Sequence, residues 1–351
     1  MEFRIGSRLV GDGHPLFFIA EAGVNHNGSI DTGRRLIDAA QAAGADAIKF
    51  QTFKTELLNT RTSPKSSYHV ATTGSDAEQT WFELLKTQEL DRRAHEALME
   101  HCAQAGIMFL STPYDIESAE LLSSLGVPAF KLASTDTSNL PFLHRIAGYQ
   151  IPVVVSTAMC TMAEVHDAVR TLRDGGARDL VVMQCTGNYP ASLADSNLRV
   201  LPTYREALGC LVGYSDHTPE LINPVAATAL GACMYEKHFT LDRAMPGPDH
   251  RMSLEPAELR ATIEAIRQTE RALGSAEKQV LPSEQENRAK LRKSLVSATA
   301  IAPGVPITAE MLATKRPGTG LPPSRMQTLI GRRLRVAVDA DTVLVEDMLE
   351  P

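Results

Sequence analysis

Between residues 17 and 241, eight short β-rich runs alternate with segments of helical patterning. They are FFIAEAG (17–23), DAIKFQTF (46–53), IMFLSTP (107–113), AFKLAS (129–134), PVVVSTAM (152–159), LVVMQCT (180–186), LVGYSDHT (211–218) and CMYEKHFTL (233–241). Nearly continuous apolar strands separated by helices fit a parallel sheet covered on both faces. Eight of them imply an α/β fold closed into a (β/α)8 TIM barrel, with an open doubly wound sheet as the alternative. Helical patterning is clearest in PAELRATIEAIRQTERALG, where Leu259, Ile263, Ile266 and Leu273 share one face and Gly274 ends the segment. Ahead of the first run, Phe3 to Val10 reads as a hairpin turning at Gly11 to Gly13.

At 351 residues and 43% hydrophobic content, the chain suits one large domain followed by a small one. Composition changes near Ser275, where SAEKQVLPSEQENRAKLRKSL is charged and lacks an apolar face. The expected organisation is a barrel over 1–276, a linker over 277–294 and a small domain over 295–351, built of short strands, Pro/Gly turns and brief helices. So short a segment makes only a thin core and is expected to lean on another surface. Residues 54–90 form a long excursion between the second and third strands. Its Tyr68, His69 and Trp81 are candidates either for ligand contact or for packing the loop onto the barrel.

A net charge of -7 argues against a nucleic-acid surface, so an anionic substrate needs a local cluster of cations. No apolar run has signal-peptide or membrane-span length, which makes a soluble cytoplasmic protein without a membrane partner the expectation. Cys102, Cys160, Cys185, Cys210 and Cys233 are odd in number, lack CxxC spacing and read as buried thiols.

The polar residues of each run crowd toward its C-terminal end, the end at which a barrel gathers its catalytic groups. Glu21, Lys49, Gln51, Ser111, Thr112, Lys131, Ser134, Ser156, Thr157, Gln184, Thr186, Asp216, His217, Glu236 and His238 all follow this rule. His217 and His238 end adjacent runs, and the apolar segment Ala226 to Ala232 between them has the length of a crossover helix. Two neutral imidazoles near Glu236 and Asp249 suit a catalytic divalent metal better than a closed structural zinc; local strand-end hydrogen bonds are the alternative. Lys49 and Lys131, with the hydroxyls of Thr112, Ser134 and Ser156, form a phosphate cradle, or else each lysine forms a salt bridge to a neighbouring carboxylate.

Across essentially its whole length the chain resembles the N-acetylneuraminate (sialic acid) synthase family, with its legionaminate and pseudaminate relatives. The resemblance rests on IAEAGVNHNGS (19–29), IKFQTFK (48–54), STPYD (111–115), KLAS (131–134), STAM (156–159), QCTGNYP (184–190), GYSDHT (213–218), EKHFTLD (236–242), GPDH (247–250), SLEP (253–256) and KRPGTG (315–320). It implies an antifreeze-like (β-clip, SAF) C-terminal domain. It also implies condensation of phosphoenolpyruvate with an open-chain N-acylated hexosamine, giving a nine-carbon 2-keto-3-deoxy acid and phosphate. By the same resemblance, His217 and His238 hold Mn2+ (or Mg2+ or Co2+), and Lys49, Lys131, Thr112, Ser134 and Ser156 hold phosphoenolpyruvate. Glu21, Gln51, Tyr189, Asp249 and Arg316 face the sugar, and Asp136 or Glu21 accepts a proton from water. The resemblance further implies a homodimer in which the C-terminal domain contacts the partner barrel. The chain departs from many bacterial members in reading Ser134-Thr135-Asp136 where they read Ser-Gly-Glu, and in Gly187-Asn188 before Tyr189. A different metal-dependent barrel aldolase or hydrolase, and a catalytically silent carbohydrate-binding protein, are the competing readings.

Overall fold

The computed structural model describes residues 1–351, which divide into two compact units, Met1–Gly274 and Ser275–Pro351. In the first unit eight parallel strands close into a TIM barrel. They are β1 Phe17–Gly23, β2 Ala47–Thr52, β3 Met108–Pro113, β4 Phe130–Leu132, β5 Val153–Ser156, β6 Leu180–Cys185, β7 Leu211–Asp216 and β8 Met234–His238. Each lies inside its expected run. Closure comes from β8 pairing with both β7 and β1, which sets His238 beside Glu21 and Glu236 beside Ser215.

The two-residue period of a strand splits these runs into two cores. Phe17, Ile19, Ala47, Leu110, Val154, Val181, Met183 and Met234 fill the barrel interior together with Ile5 and Val10 of the N-terminal hairpin. Their neighbours Phe18, Ile48, Phe109, Phe130, Val155, Val182, Val212 and Tyr235 pack against the helices. The interior layer is tight at Gly213, where an added Cβ would stand 2.9 Å from the Met234 carbonyl oxygen and 3.2 Å from Met183 Cε.

Three local expectations are corrected. The hairpin pairs Glu2–Ile5 with Arg8–Gly11 and turns at Gly6-Ser7 instead of Gly11 to Gly13; Gly6, at φ +56°, supplies the left-handed conformation a two-residue turn requires. The helix between β7 and β8 runs Ile222–Ala229, earlier than Ala226 to Ala232, because Pro224 is tolerated in a first turn and Gly231, at φ +87°, follows the end. In the last barrel helix, Pro256–Leu273, the residues Leu259, Ile263 and Ile266 are buried, but Leu273 in the final turn is 53% exposed.

In the second unit the strands Ser294–Ser297 and Leu312–Lys315 pair antiparallel. Leu295, Ile301, Ile307, Leu329, Leu334 and Leu344 form its core. The charged stretch before it carries a short helix, Gln285–Leu291, with no buried side chain.

Neutral histidines brace the C-terminal rim of the barrel. The Gly28 N–H donates to His26 Nδ1 (2.9 Å), and His250 lies between the Thr240 hydroxyl (2.6 Å) and the Asn27 side-chain oxygen (3.3 Å). Asn25 donates to the Phe239 carbonyl (2.9 Å) and to Ser253 Oγ (3.0 Å), so the turn after β1 is tied to the loop after β8. Burial pulls the pKa of both His26 and His250 down to about 4. The unfolded chain protonates these groups below about 6.5 while the folded chain resists, so stability declines as pH falls from 6.5 toward 4. Thermal melts across that window are expected to show a falling midpoint, with a shallower slope for His26→Gln.

Candidate active site

The inward positions at the C-terminal ends of the strands converge on one cavity of about 280 Å3. Strand parity delivers Glu21 from β1, Lys49 and Gln51 from β2, Thr112 from β3, Lys131 from β4, Ser156 from β5, and Glu236 and His238 from β8. His217 follows β7 directly, and the loops add Ser134, Tyr189 and Asp249. Gly23, at φ +54°, marks a bulge in β1, and an added Cβ there would lie 3.3 Å from both Gln51 Nε2 and Glu21 Oε1. One expected residue of the barrel unit does not line this cavity, and one belongs to the second unit. Asp136 is buried in a short turn after β4, where Thr135 and Asn139 each donate to it at 3.4 Å, and burial raises its pKa. Arg316 belongs to the second unit, where it is exposed.

Both lysines are engaged by carboxylates. Lys49 Nζ is 2.7 Å from Glu21 and 3.7 Å from Glu236, while Lys131 Nζ is 3.3 Å from Glu236. Each also donates to a hydroxyl: Lys49 to Thr112 (2.9 Å) and Lys131 to Ser156 (2.7 Å). The salt-bridge alternative is therefore realised for both lysines. Burial raises the Glu21 carboxyl to about 7, with Lys49 opposing and Glu236 adding to the rise. Burial also pushes Glu236 up, but the ammonium groups of Lys131 and Lys49 outweigh it and hold this carboxyl below its ordinary value. Burial lowers the Lys131 pKa, with Glu236 opposing, whereas Glu21 and Glu236 outweigh burial at Lys49 and raise it. Ser134 accepts from the Ala158 N–H (2.9 Å), leaving its own hydroxyl proton free for a ligand.

Above this floor the rings of His217 and His238 lie 5.5 Å apart, and Tyr189 packs 4.2 Å from His217. His217 Nδ1–H donates to the Thr186 carbonyl (2.7 Å), so in the neutral ring Nε2 is the nitrogen that carries the lone pair; burial lowers the His217 pKa, but Cys185, 3.8 Å from Nδ1, outweighs it and raises it. Burial, then His217 and the lysines, drives the His238 pKa well down and keeps that ring neutral; its buried Nδ1 has no hydrogen-bond partner. A carbonyl-anchored imidazole beside one with an orphaned nitrogen matches the donor set of a divalent ion. No third His, Cys, Asp or Glu joins them, so two imidazoles could hold such an ion only with further positions left to water or substrate. Burial raises the Asp249 carboxyl to about 6.

The rule that strand-end polar residues meet in the site is too broad. Ser111, Thr157 and Asp216 face outward: Ser111 bonds Thr52 (2.7 Å), Thr157 bonds Tyr204 (3.0 Å), and Asp216 ion-pairs Lys237 (2.7 Å). Conversely, Tyr114, Cys185 and Ser215 line the cavity unanticipated. Counting by two from Thr112 and from His217 would have found Tyr114 and Ser215. Ser215 donates to Glu236 (3.0 Å).

The fold is a (β/α)8 barrel followed by a small C-terminal unit. Residues 36–278 match the NeuB family and residues 292–350 the SAF domain. The chain is 39% identical over 349 residues to the N,N'-diacetyllegionaminic acid synthase of Legionella pneumophila, covering 98% of each chain. It is 36% identical over 348 residues to the N-acetylneuraminate-9-phosphate synthase of Homo sapiens, covering 98% of this chain and 95% of that one. The crystal structure of the spore coat polysaccharide biosynthesis protein spsE of Bacillus subtilis superposes with a TM-score of 0.68 at 34% identity, covering 100% of this chain and 99% of that one. The chain thus belongs to the NeuB family of sialic acid synthases and is an enzyme of that class.

Lys131 has no carboxylate within salt-bridge distance other than Glu236. Glu236→Gln is expected to lower stability in urea titrations by about 3 kcal/mol, because it leaves a buried ammonium without its counter-charge.

Proposed function

We propose that this enzyme condenses phosphoenolpyruvate with an N-acylated hexosamine, N-acetylmannosamine or a diacetamido-trideoxyhexose, to give a sialic-acid-type nonulosonic acid and phosphate. The observation that carries the reading is the pair of buried lysines on hydroxyl partners, set in the same cavity as the two histidines. Lys49 and Lys131 would hold the phosphate with Thr112, Ser134 and Ser156, exchanging part of their attraction to Glu21 and Glu236 for the substrate's charge. Gln51, Tyr189 and Asp249 would orient the sugar on the other side of the cavity, with Arg316 as a further sugar contact.

The π bond of phosphoenolpyruvate attacks the aldehyde carbon, water adds at C2, and phosphate leaves. Glu21, whose carboxyl sits at about 7, is suited to take the proton of that water, with Asp136 as the alternative acceptor. His217 and His238 would hold Mn2+, or Mg2+ or Co2+ in its place, and the bound ion would polarise the aldehyde oxygen. The experiment is a phosphate-release assay with phosphoenolpyruvate and a panel of N-acyl hexosamines. Release is expected with at least one sugar, to cease on chelation and to return with Mn2+; full activity in a metal-free sample would sink the metal assignment.

A homodimer in which each C-terminal unit serves the partner's barrel is part of this proposal. Apolar residues of the barrel unit such as Leu57 (53%), Val70 (41%) and Met159 (73%) are exposed, which supports a covering surface. Arg316→Ala and His217→Ala chains, each inactive alone, are expected to regain activity when mixed under subunit exchange, since one mixed site combines an intact barrel with an intact arginine. Activity in a monomeric species would rule the exchange out.

A further inference from the structure

The excursion between β2 and β3 supplies a wall of the cavity to which the chemistry above gives no task. It carries three short helices, Thr55–Leu58, Ser67–Thr73 and Trp81–Lys86. Asp76 accepts the backbone N–H of both Lys65 (3.1 Å) and Trp81 (3.2 Å), and the buried Lys65 ammonium donates to the Gly74 carbonyl (3.0 Å) at the end of the second helix. Thr80 and Glu83 cap the helix that begins at Trp81 reciprocally. These bonds hold His69 and Trp81 in register. Their rings stack with centroids 4.3 Å apart and planes 12° from parallel, and both rings line the cavity beside Val24, Leu58 and Leu85.

His69 is the polar member of this wall. Its ring nitrogens make no hydrogen bond within the chain, and the half-buried residue lines the cavity. Burial and the nearby Lys65 lower its pKa, so the ring is neutral at pH 7 and offers one N–H and one lone pair. A phosphate or carboxylate gains little from a neutral imidazole when Lys49 and Lys131 stand on the cavity floor. A secondary amide gains more: it is planar and uncharged, it can donate or accept one hydrogen bond, and its acyl methyl needs an apolar slot. The flat His69–Trp81 stack beside Val24, Leu58 and Leu85 offers all of these.

We propose that His69 and Trp81, with Val24, Leu58 and Leu85, form a subsite for an acylamino substituent of the sugar. The proposal rests on the condensation reading and deepens it, since it assigns sugar selectivity to the excursion. The test measures kcat/KM of wild type, His69→Leu and His69→Gln with mannose, N-acetylmannosamine and 2,4-diacetamido-2,4,6-trideoxymannose, with thermal melts confirming that each variant folds. His69→Leu is expected to lose at least tenfold on an acylated sugar while the KM for phosphoenolpyruvate stays put. His69→Gln, which keeps a donor and an acceptor, is expected to recover most of the loss. Equal losses on mannose and acylated sugars, a parallel rise in the phosphoenolpyruvate KM, or no loss at all would overturn the assignment. If wild type releases phosphate with none of the sugars, the condensation reading fails instead. Calorimetric titration of N-acetylmannosamine against mannose then decides the subsite: acyl preference present in wild type and lost in His69→Leu upholds it, and any other pattern refutes it.

Discussion

The ion cluster Glu21–Lys49–Glu236–Lys131 is the constraint around which the barrel unit is arranged. An ammonium taken from water into a barrel costs several kcal/mol unless a carboxylate and hydroxyls meet it at short range. Neighbouring strands meet that demand: β1 pairs Glu21 with Lys49 of β2, and β8 carries Glu236 across the lumen to both lysines. Below the cluster the interior is apolar, down to Ile5 and Val10 of the hairpin. Two uncancelled charges in that setting would destabilise the fold. Cancelled by Glu21 and Glu236 and met by the hydroxyls of Thr112 and Ser156, they are held in place.

Around this floor the rim is held by uncharged contacts. His26, His250 and Asn25 fix the turn after β1 to the loop that carries Asp249, and burial keeps both imidazoles neutral. The excursion wall has its own capping and stacking bonds and needs no charge from the floor. Charge is therefore concentrated at the base of the cavity, while the wall that includes His69, Trp81 and Leu85 is neutral. Such a division suits a reaction joining an anionic substrate to an uncharged one.

The second unit follows a different logic. Its core of small aliphatic side chains is pinned by Ser294, whose hydroxyl donates to the Pro317 carbonyl (2.7 Å) and accepts from the Gly320 N–H (2.8 Å). The turn bearing Arg316 is thus held by a partly buried hydrogen bond from the first strand of its own unit. Arg316 itself remains exposed.

By itself the sequence determined the eight strands, their order and the residue types at their ends, because buried parallel strands must be apolar and eight βα units close on themselves. It also determined the two histidines and two lysines, since a charge at the end of an apolar run has few places to go. Which polar residues enter the cavity was legible only through the period of two: Ser215 and Tyr114 follow from it, and the outward Asp216 and Ser111 are excluded by it. The tertiary structure alone decided the rest. That Glu236 serves both lysines depends on β8 lying across the barrel from β4, a distance along the chain that no local pattern encodes. That His69 stacks on Trp81 depends on hydrogen bonds to Asp76 and the Lys65 ammonium within an excursion that has little periodicity to read. Strand identity is set by neighbours in sequence, whereas partners across a closed barrel are set by its closure.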